Sequence, residues 1–205
     1  MPTSDFAFSF DMAEKILTTP LTEEAIRLLH AGDTVLLTGI LHTGRDRFHK
    51  WLGEGGDCPF SLRDGAIFHC GPVVRNVPEE GWRIVSAGPT TSCREEPYMA
   101  DIIARHGVRA ILGKGGMGAR TVEACQRHGC VYLQVVGGAA ALLAERIRAV
   151  RGVSFLEEFG ATEASWTLEV EALPALVGID AHGKSLFSDV EKASRTALDS
   201  LLSFA

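Results

Sequence analysis

Several things are missing from this sequence, and each absence excludes a class of protein. It holds no run of about 20 apolar residues, the length of a membrane span. Its longest uncharged stretches, such as 131–143, carry Gly and Gln. The first twelve residues have no basic start and include Asp5, so no secretory signal is expected. The five cysteines, Cys58, Cys70, Cys93, Cys125 and Cys130, are odd in number, scattered, and form no C-x-x-C pair. That excludes a disulfide framework and leaves no zinc or iron–sulfur ligand set of the chain's own. A reduced, cytoplasmic protein is expected, with its cysteines packed mostly as small hydrophobes. Positive charge is also short: 20 Lys+Arg face 26 Asp+Glu, a net charge of −6. A surface broadly suited to nucleic acid is therefore not expected.

What is present is enough to fold. The 205 residues are 46% hydrophobic and 22% charged, which supports a real core and excludes wholesale disorder. Residues 1–12 set Phe6, Phe8 and Phe10 among small or polar residues and read as an N-terminal arm. Thr22, followed by Glu23 and Glu24, starts a helix that ends at Gly32. Further along, a strand at 35–37 leads to a helix at 47–52, and short apolar runs follow at 66–69 and 82–85. Pro97 opens a helix that Gly107 closes. A strand–helix–strand–helix series then covers 109–112, 121–128, 131–136 and 139–150, which implies parallel pairing. Strands at 166–170 and 175–179 and an amphipathic helix at 191–202 complete one α/β domain.

The polar motifs collect where strands give way to helices. Thr43-Gly44-Arg45-Asp46 follows one strand, Gly88-Pro89-Thr90-Thr91-Ser92 with Arg94 another, and the glycine-rich 113–118 loop with Lys114 a third. Gly137-Gly138 follows a fourth. In open α/β sheets ligands bind beyond the carboxyl ends of the strands, where helix N-termini favour anions. Arg45, Arg94 and Lys114 on three such loops of an acidic chain point to a small anionic ligand. Gly113, Gly115 and Gly118 formally spell G-x-G-x-x-G. The acidic residue that the dinucleotide reading requires after the next strand is absent, and no P-loop occurs, so a nucleotide module is a poor reading. His42, His49 and His69 are more readily core or surface groups than ligands.

These residues resemble a known family. The segments 17–21, Thr43-Gly44-Arg45-Asp46 with His49-Lys50, and Ile67-Phe68-His69-x-Gly71-Pro72 are similar to the β part of iron–sulfur class I fumarases and L(+)-tartrate dehydratases. So are Gly88-Pro89-Thr90-Thr91-Ser92-x-Arg94, the 113–118 loop, the 136–141 segment and Asp180-Ala181-His182-Gly183. The resemblance runs from about residue 13 to 187, with the arm before it and a C-terminal helix, 188–205, after it. It implies a single α/β domain of the swivelling β/β/α kind. It also implies a hetero-oligomer, in which a partner α subunit holds a [4Fe–4S] cluster and this chain completes the active site.

The activity so implied is a hydro-lyase that interconverts fumarate and malate, a tricarboxylic acid cycle reaction. Thr43-Gly44-Arg45 and the 136–140 stretch are more like fumarases than tartrate dehydratases. Arg45, Arg94 and Lys114 match the family's positions for holding the dicarboxylate, with Thr90 and Thr91 beside them. Thr90 matches the position of the proposed base. A Thr hydroxyl is a poor base and would need an acceptor from the partner. Asp46 is expected to orient Arg45 or cap the next helix, Cys93 to be a neutral filler, and Asp180 to serve the site or a turn. The alternatives are a tartrate dehydratase β subunit and a non-catalytic dicarboxylate-binding subunit.

Overall fold

A computed structural model of the chain describes residues 14–79 and 81–203. The phenylalanine-bearing arm lies outside the described residues. Strand β1 (Lys15–Thr18) and helix α1 (Glu23–Arg27) lead into β2 (Thr34–Gly44), α2 (Asp46–Gly53) and β3 (Ala66–His69). A hairpin, β4 (Val73–Val77) and β5 (Gly81–Ser86), is followed by a 3-10 turn at Ser92–Glu95 and by α3 (Glu96–His106). Then come β6 (Ala110–Gly113), α4 (Ala119–His128), β7 (Val131–Gln134), α5 (Ala140–Ala144), β8 (Ile147–Ser154), α6 (Leu156–Phe159), β9 (Ser165–Ile179) and α7 (Leu186–Leu202).

Strands β2, β3, β6 and β7 run parallel, and β9 returns antiparallel to pair with both β7 and β2. The ring β2–β3–β6–β7–β9 therefore closes on itself, with β1 and β8 as flanking strands. Alternation along the parallel strands supplies two cores. Ala66 and Phe68, Ala110 and Leu112, and Val131 and Leu133 join Trp166, Leu168 and Leu173 of β9 in one cluster. The intervening Ile67, Ile111 and Tyr132 face a second cluster built with Phe48 and Leu52 of α2, Met99, Ile102 and Ile103 of α3, and Cys125 of α4. Parallel strands buried on both faces read as near-continuous apolar runs, as these do.

The expected α/β class holds, and three expectations about elements are corrected. The helix read at 139–150 is only α5; the chain then enters β8. Ile147, Val150 and Val153 are spaced by threes like one face of a helix, and all pack on the first cluster. They do so within a strand because β8 shifts register twice, between Ile147 and Ala149 and between Val150 and Gly152. The strands read at 166–170 and 175–179 are one bent strand, β9. Pro174 sits within it opposite Leu36, and the bend at Ala172 (φ 50°) is held by its N–H donating to Thr38 Oγ1 at 3.0 Å. The C-terminal helix begins earlier than expected, at Leu186, where Ser185 caps it. No helix among the described residues is long and apolar enough to cross a membrane.

Candidate functional site

The carboxyl ends of β2, β3 and β6 lie together, and the segment after β5 is stitched across them. Thr90 N–H donates to the His69 carbonyl at 2.7 Å, and Ser92 N–H to the Lys114 carbonyl at 2.9 Å. Lys114 N–H in turn reaches the Thr90 carbonyl at 3.4 Å. Thr90, Thr91 and Lys114 thus occupy one small patch, in which Thr90 and Lys114 are half-buried and Thr91 is exposed. The 137–138 loop closes over the Lys114 stem; a Cβ on Gly137 would lie 3.3 Å from Lys114 Cδ.

Arg45 leaves β2 as the residue before α2, and its stem fills the space beside Gly71, where a Cβ would fall 2.6 Å from Arg45 Cδ. Its Nε lies 3.5 Å from the Glu163 carboxylate. Arg94, on the 3-10 turn, is half exposed and pairs with Asp46, the first residue of α2. Asp46 therefore serves the other arginine, not its chain neighbour. Each of these two arginines lies against a carboxylate of the same chain, which fixes its direction.

Beneath this layer lies a buried polar group. Tyr132 OH donates to Ser92 Oγ at 3.0 Å, and Ser92 Oγ lies 2.9 Å from His69 Nδ1. Gly113 makes room for it, since a Cβ there would fall 1.9 Å from Ser92 Oγ. Burial raises the Tyr132 hydroxyl to about 12 and holds His69 well below the ordinary histidine value. His49 Nδ1 lies 2.9 Å from the Arg45 carbonyl, and the His49 and His69 rings meet edge to face at 4.8 Å. His42 is elsewhere, stacked on Phe60 and bonded to Thr167, and its role is packing.

At α2 and α4 the helix N-terminus is already occupied by a carboxylate of the chain. Glu96 accepts from Gly118 N–H at 2.7 Å and from Thr121 N–H and Oγ1, so the start of α4 is already capped. Glu163 likewise takes the Arg47 N–H at 3.1 Å at the start of α2. These carboxylates occupy the positive ends of α2 and α4. The Asp180 turn serves structure. Its carboxylate accepts from the N–H groups of Ala31, His182 and Lys184 and it follows β9 at the opposite end of the parallel strands. Cys93 is exposed and Cys70 buried; burial raises the Cys70 thiol to about 12.

Glu163, Glu95, Glu96, Ser92 and Tyr132 were not legible as site residues, because each acts through a contact distant in sequence. The Ser92 position beside Thr91 was the one available signal. Among the described residues no group of three or more His, Cys, Asp or Glu side chains is arranged to hold a metal ion. These residues do not fit an iron–sulfur cluster. A groove of about 1380 Å³ runs between the hairpin and β8, lined by Arg83, Arg146 and Arg148 among others. It contains none of Arg45, Thr90, Arg94 and Lys114.

Comparison with known proteins bears on this arrangement. The profile of the family described as Fumarase C-terminus matches residues 4–190. A putative fumarate hydratase class I of Geobacillus stearothermophilus is 48% identical over 188 residues, 91% of this chain and 36% of that protein. The chain thus spans about a third of that relative. A putative L(+)-tartrate dehydratase subunit beta of Methanocaldococcus jannaschii is 38% identical over 89% of this chain and 95% of its own length. The L(+)-tartrate dehydratase subunit beta of Escherichia coli K12 is 39% identical over 87% of this chain and 89% of its own.

Proposed function

The chain belongs to the fumarase C-terminus family, and on that premise we propose that it is the β subunit of a hydro-lyase that interconverts fumarate and malate. The observation that carries the reading is the gathering of three cationic side chains, from three separate loops, around a half-buried threonine. Fumarate and malate carry two carboxylates, and a site for them must neutralise both ends at once. Arg45 and Arg94 are suited to grip carboxylates through paired N–H donors, and Lys114 supplies a point charge.

Thr90 has the position to work on the carbon between those charges. Its backbone is tied at both the N–H and the carbonyl, so its hydroxyl has a fixed origin. We assign that hydroxyl the proton taken from or returned to the substrate, with an acceptor on the partner to make it basic. Thr91 beside it is the second substrate contact. Thr91 and Arg94 are exposed and Thr90 and Lys114 half-buried, which fits a half-site that a second chain covers. We assign the [4Fe–4S] cluster to that α subunit, since among the described residues of this chain no group of His, Cys, Asp or Glu side chains is arranged to hold a metal ion.

The test is co-expression with a cluster-bearing α subunit, purification without oxygen, and measurement of fumarate–malate interconversion. Activity that requires both chains and is lost in Arg94→Ala supports the reading; a cluster-loaded complex inert to both compounds refutes it. A second reading, tartrate as substrate, is favoured by the two relatives named subunit beta, which match this chain over nearly their whole length. Competition between tartrate and malate in the same assay separates the two.

A further inference from the structure

Six buried side-chain nitrogen or oxygen atoms among the described residues have no hydrogen-bond partner, and five of them fall in one place. They are Arg45 Nε, His49 Nε2, His69 Nε2 and both carboxyl oxygens of Glu95. Buried polar atoms are nearly always paired, so such a concentration marks a special environment. Glu95 is fully buried, directly follows Arg94, and ends the 3-10 turn on which that arginine sits. His49, also fully buried, lies one helical turn beyond Arg45. Its Nδ1 donates to the Arg45 carbonyl at 2.9 Å. Glu95 Oε2 stands 3.6 Å from the same nitrogen, beyond hydrogen-bond reach. The two segments that carry the guanidinium groups therefore meet at the Glu95–His49 contact, with the His69 ring against its edge.

We infer that Glu95 is a positioning residue of the site, a buried carboxyl without a hydrogen-bond partner that spaces the Arg45 and Arg94 segments from beneath. This rests on the dicarboxylate reading given above. The groups that face Glu95 are Arg45, Asp46 and His49 from the start of α2, Arg94 from its own turn, and Glu163 from the segment before β9. Asp46 and Glu163 already balance the two arginines. A third carboxylate, buried and unpaired, would compete with an incoming dicarboxylate for the same guanidinium groups. The charge states agree with the geometry. Burial, then the negative charge of Asp46, raises Glu95 to about 8 against the pull of Arg94, and burial lowers His49 to about 4. Both shifts favour the neutral forms.

The consequence has a definite sign. A carboxyl whose folded value lies above its unfolded value of 4.5 keeps its proton in the folded chain while the unfolded chain loses it. Stability contributed by this group is therefore unaffected below pH 4.5, falls as pH rises towards 8, and levels off beyond.

The experiment compares the wild-type chain with Glu95→Gln and Glu95→Met, both uncharged at every pH. Melting temperatures of the full chain are taken from pH 5 to 9, together with the KM of the assembled enzyme for malate. The wild-type melting temperature is expected to fall relative to both variants between pH 5 and 8 and then run parallel. The wild-type KM is expected to rise at least fivefold more than that of either variant between pH 7 and 9. Should the glutamine variant not fold, the methionine variant carries the same comparison. A melting gap that stays constant between pH 5 and 6.5, where an ionised Glu95 paired with a charged His49 would lose nothing, overturns the inference, and so does an identical pH profile of KM. If no dicarboxylate is turned over by the complex, the functional reading has failed and the positioning role falls with it. The melting series still decides whether Glu95 is uncharged.

Discussion

Arg94 and Asp46 form an ion pair that joins the turn after β5 to the first residue of α2. Both partners are partly exposed, so the pair contributes little to stability and mainly sets a direction. Arg94→Ala is therefore expected to leave the urea midpoint of the chain nearly unchanged. Loss of a charge-assisted contact to substrate is worth about 1.5–3 kcal/mol, or roughly 10- to 150-fold in kcat/KM. Asp46→Asn should cost less, about threefold to tenfold and chiefly in KM, because it frees the guanidinium without removing it. Steady-state kinetics of the assembled enzyme, with urea titration of the chain, check both.

Thr90 and Thr91 are neighbours for which we propose different roles. Removing a proton-transfer group costs roughly 10²- to 10⁴-fold in kcat. Thr90→Val is expected to fall in that range, while Thr91→Val loses less than tenfold and mostly in KM. Equal losses at both positions would remove the distinction. Exchange of the C3 proton of malate with deuterated solvent, measured in each variant, reads the proton step directly.

Gly113 has an ordinary extended backbone, so its small size and not its flexibility is what the site uses. A methyl group there would meet Ser92 Oγ and displace it from both His69 and Tyr132. Gly113→Ala is expected to destabilise the chain by about 1–3 kcal/mol through overpacking and the lost buried hydrogen bonds. Activity should fall with it, because Ser92 N–H also fixes the Lys114 carbonyl. Gly113→Ala combined with Ser92→Gly should recover much of the stability and little of the activity.

Glu96 tests the opposite combination. Glu96→Ala leaves the Gly118 and Thr121 donors at the start of α4 without their acceptor and is expected to cost about 1–2 kcal/mol. KM for the substrate should change less than twofold. A chemical-denaturation curve and one kinetic series are sufficient. An increase in affinity for inorganic anions at the exposed helix end would accompany the substitution, because the position then regains its free N–H groups.

The sequence made the cations legible but not their neighbours. Arg45, Thr90, Arg94 and Lys114 each follow a recognisable strand-end pattern. Glu163 and Glu95 do not, since their significance comes from packing against α2 across the barrel. The same limit applies to the fold. The parallel strands declare themselves by short apolar runs between glycines. In β8 two register shifts turn a strand into an apparent helical period, and in β9 a proline inside a continuous strand imitates a break. Strand β9 owes its form to β2, far back along the chain, and β8 to the shifted register of its pairing with β9, and local pattern carries no trace of either.

That long-range pairing also orders the protein's birth on the ribosome. Thr34 of β2 finds its partner only in Leu176, and β7 completes its pairing only with the last residues of β9. Until residue 179 has left the exit tunnel, the nascent chain carries a half-built ring with an open edge on β2, a site for unwanted strand addition. Non-local closure of this kind slows folding, and the final third of synthesis is the interval in which a chaperone has most to shield.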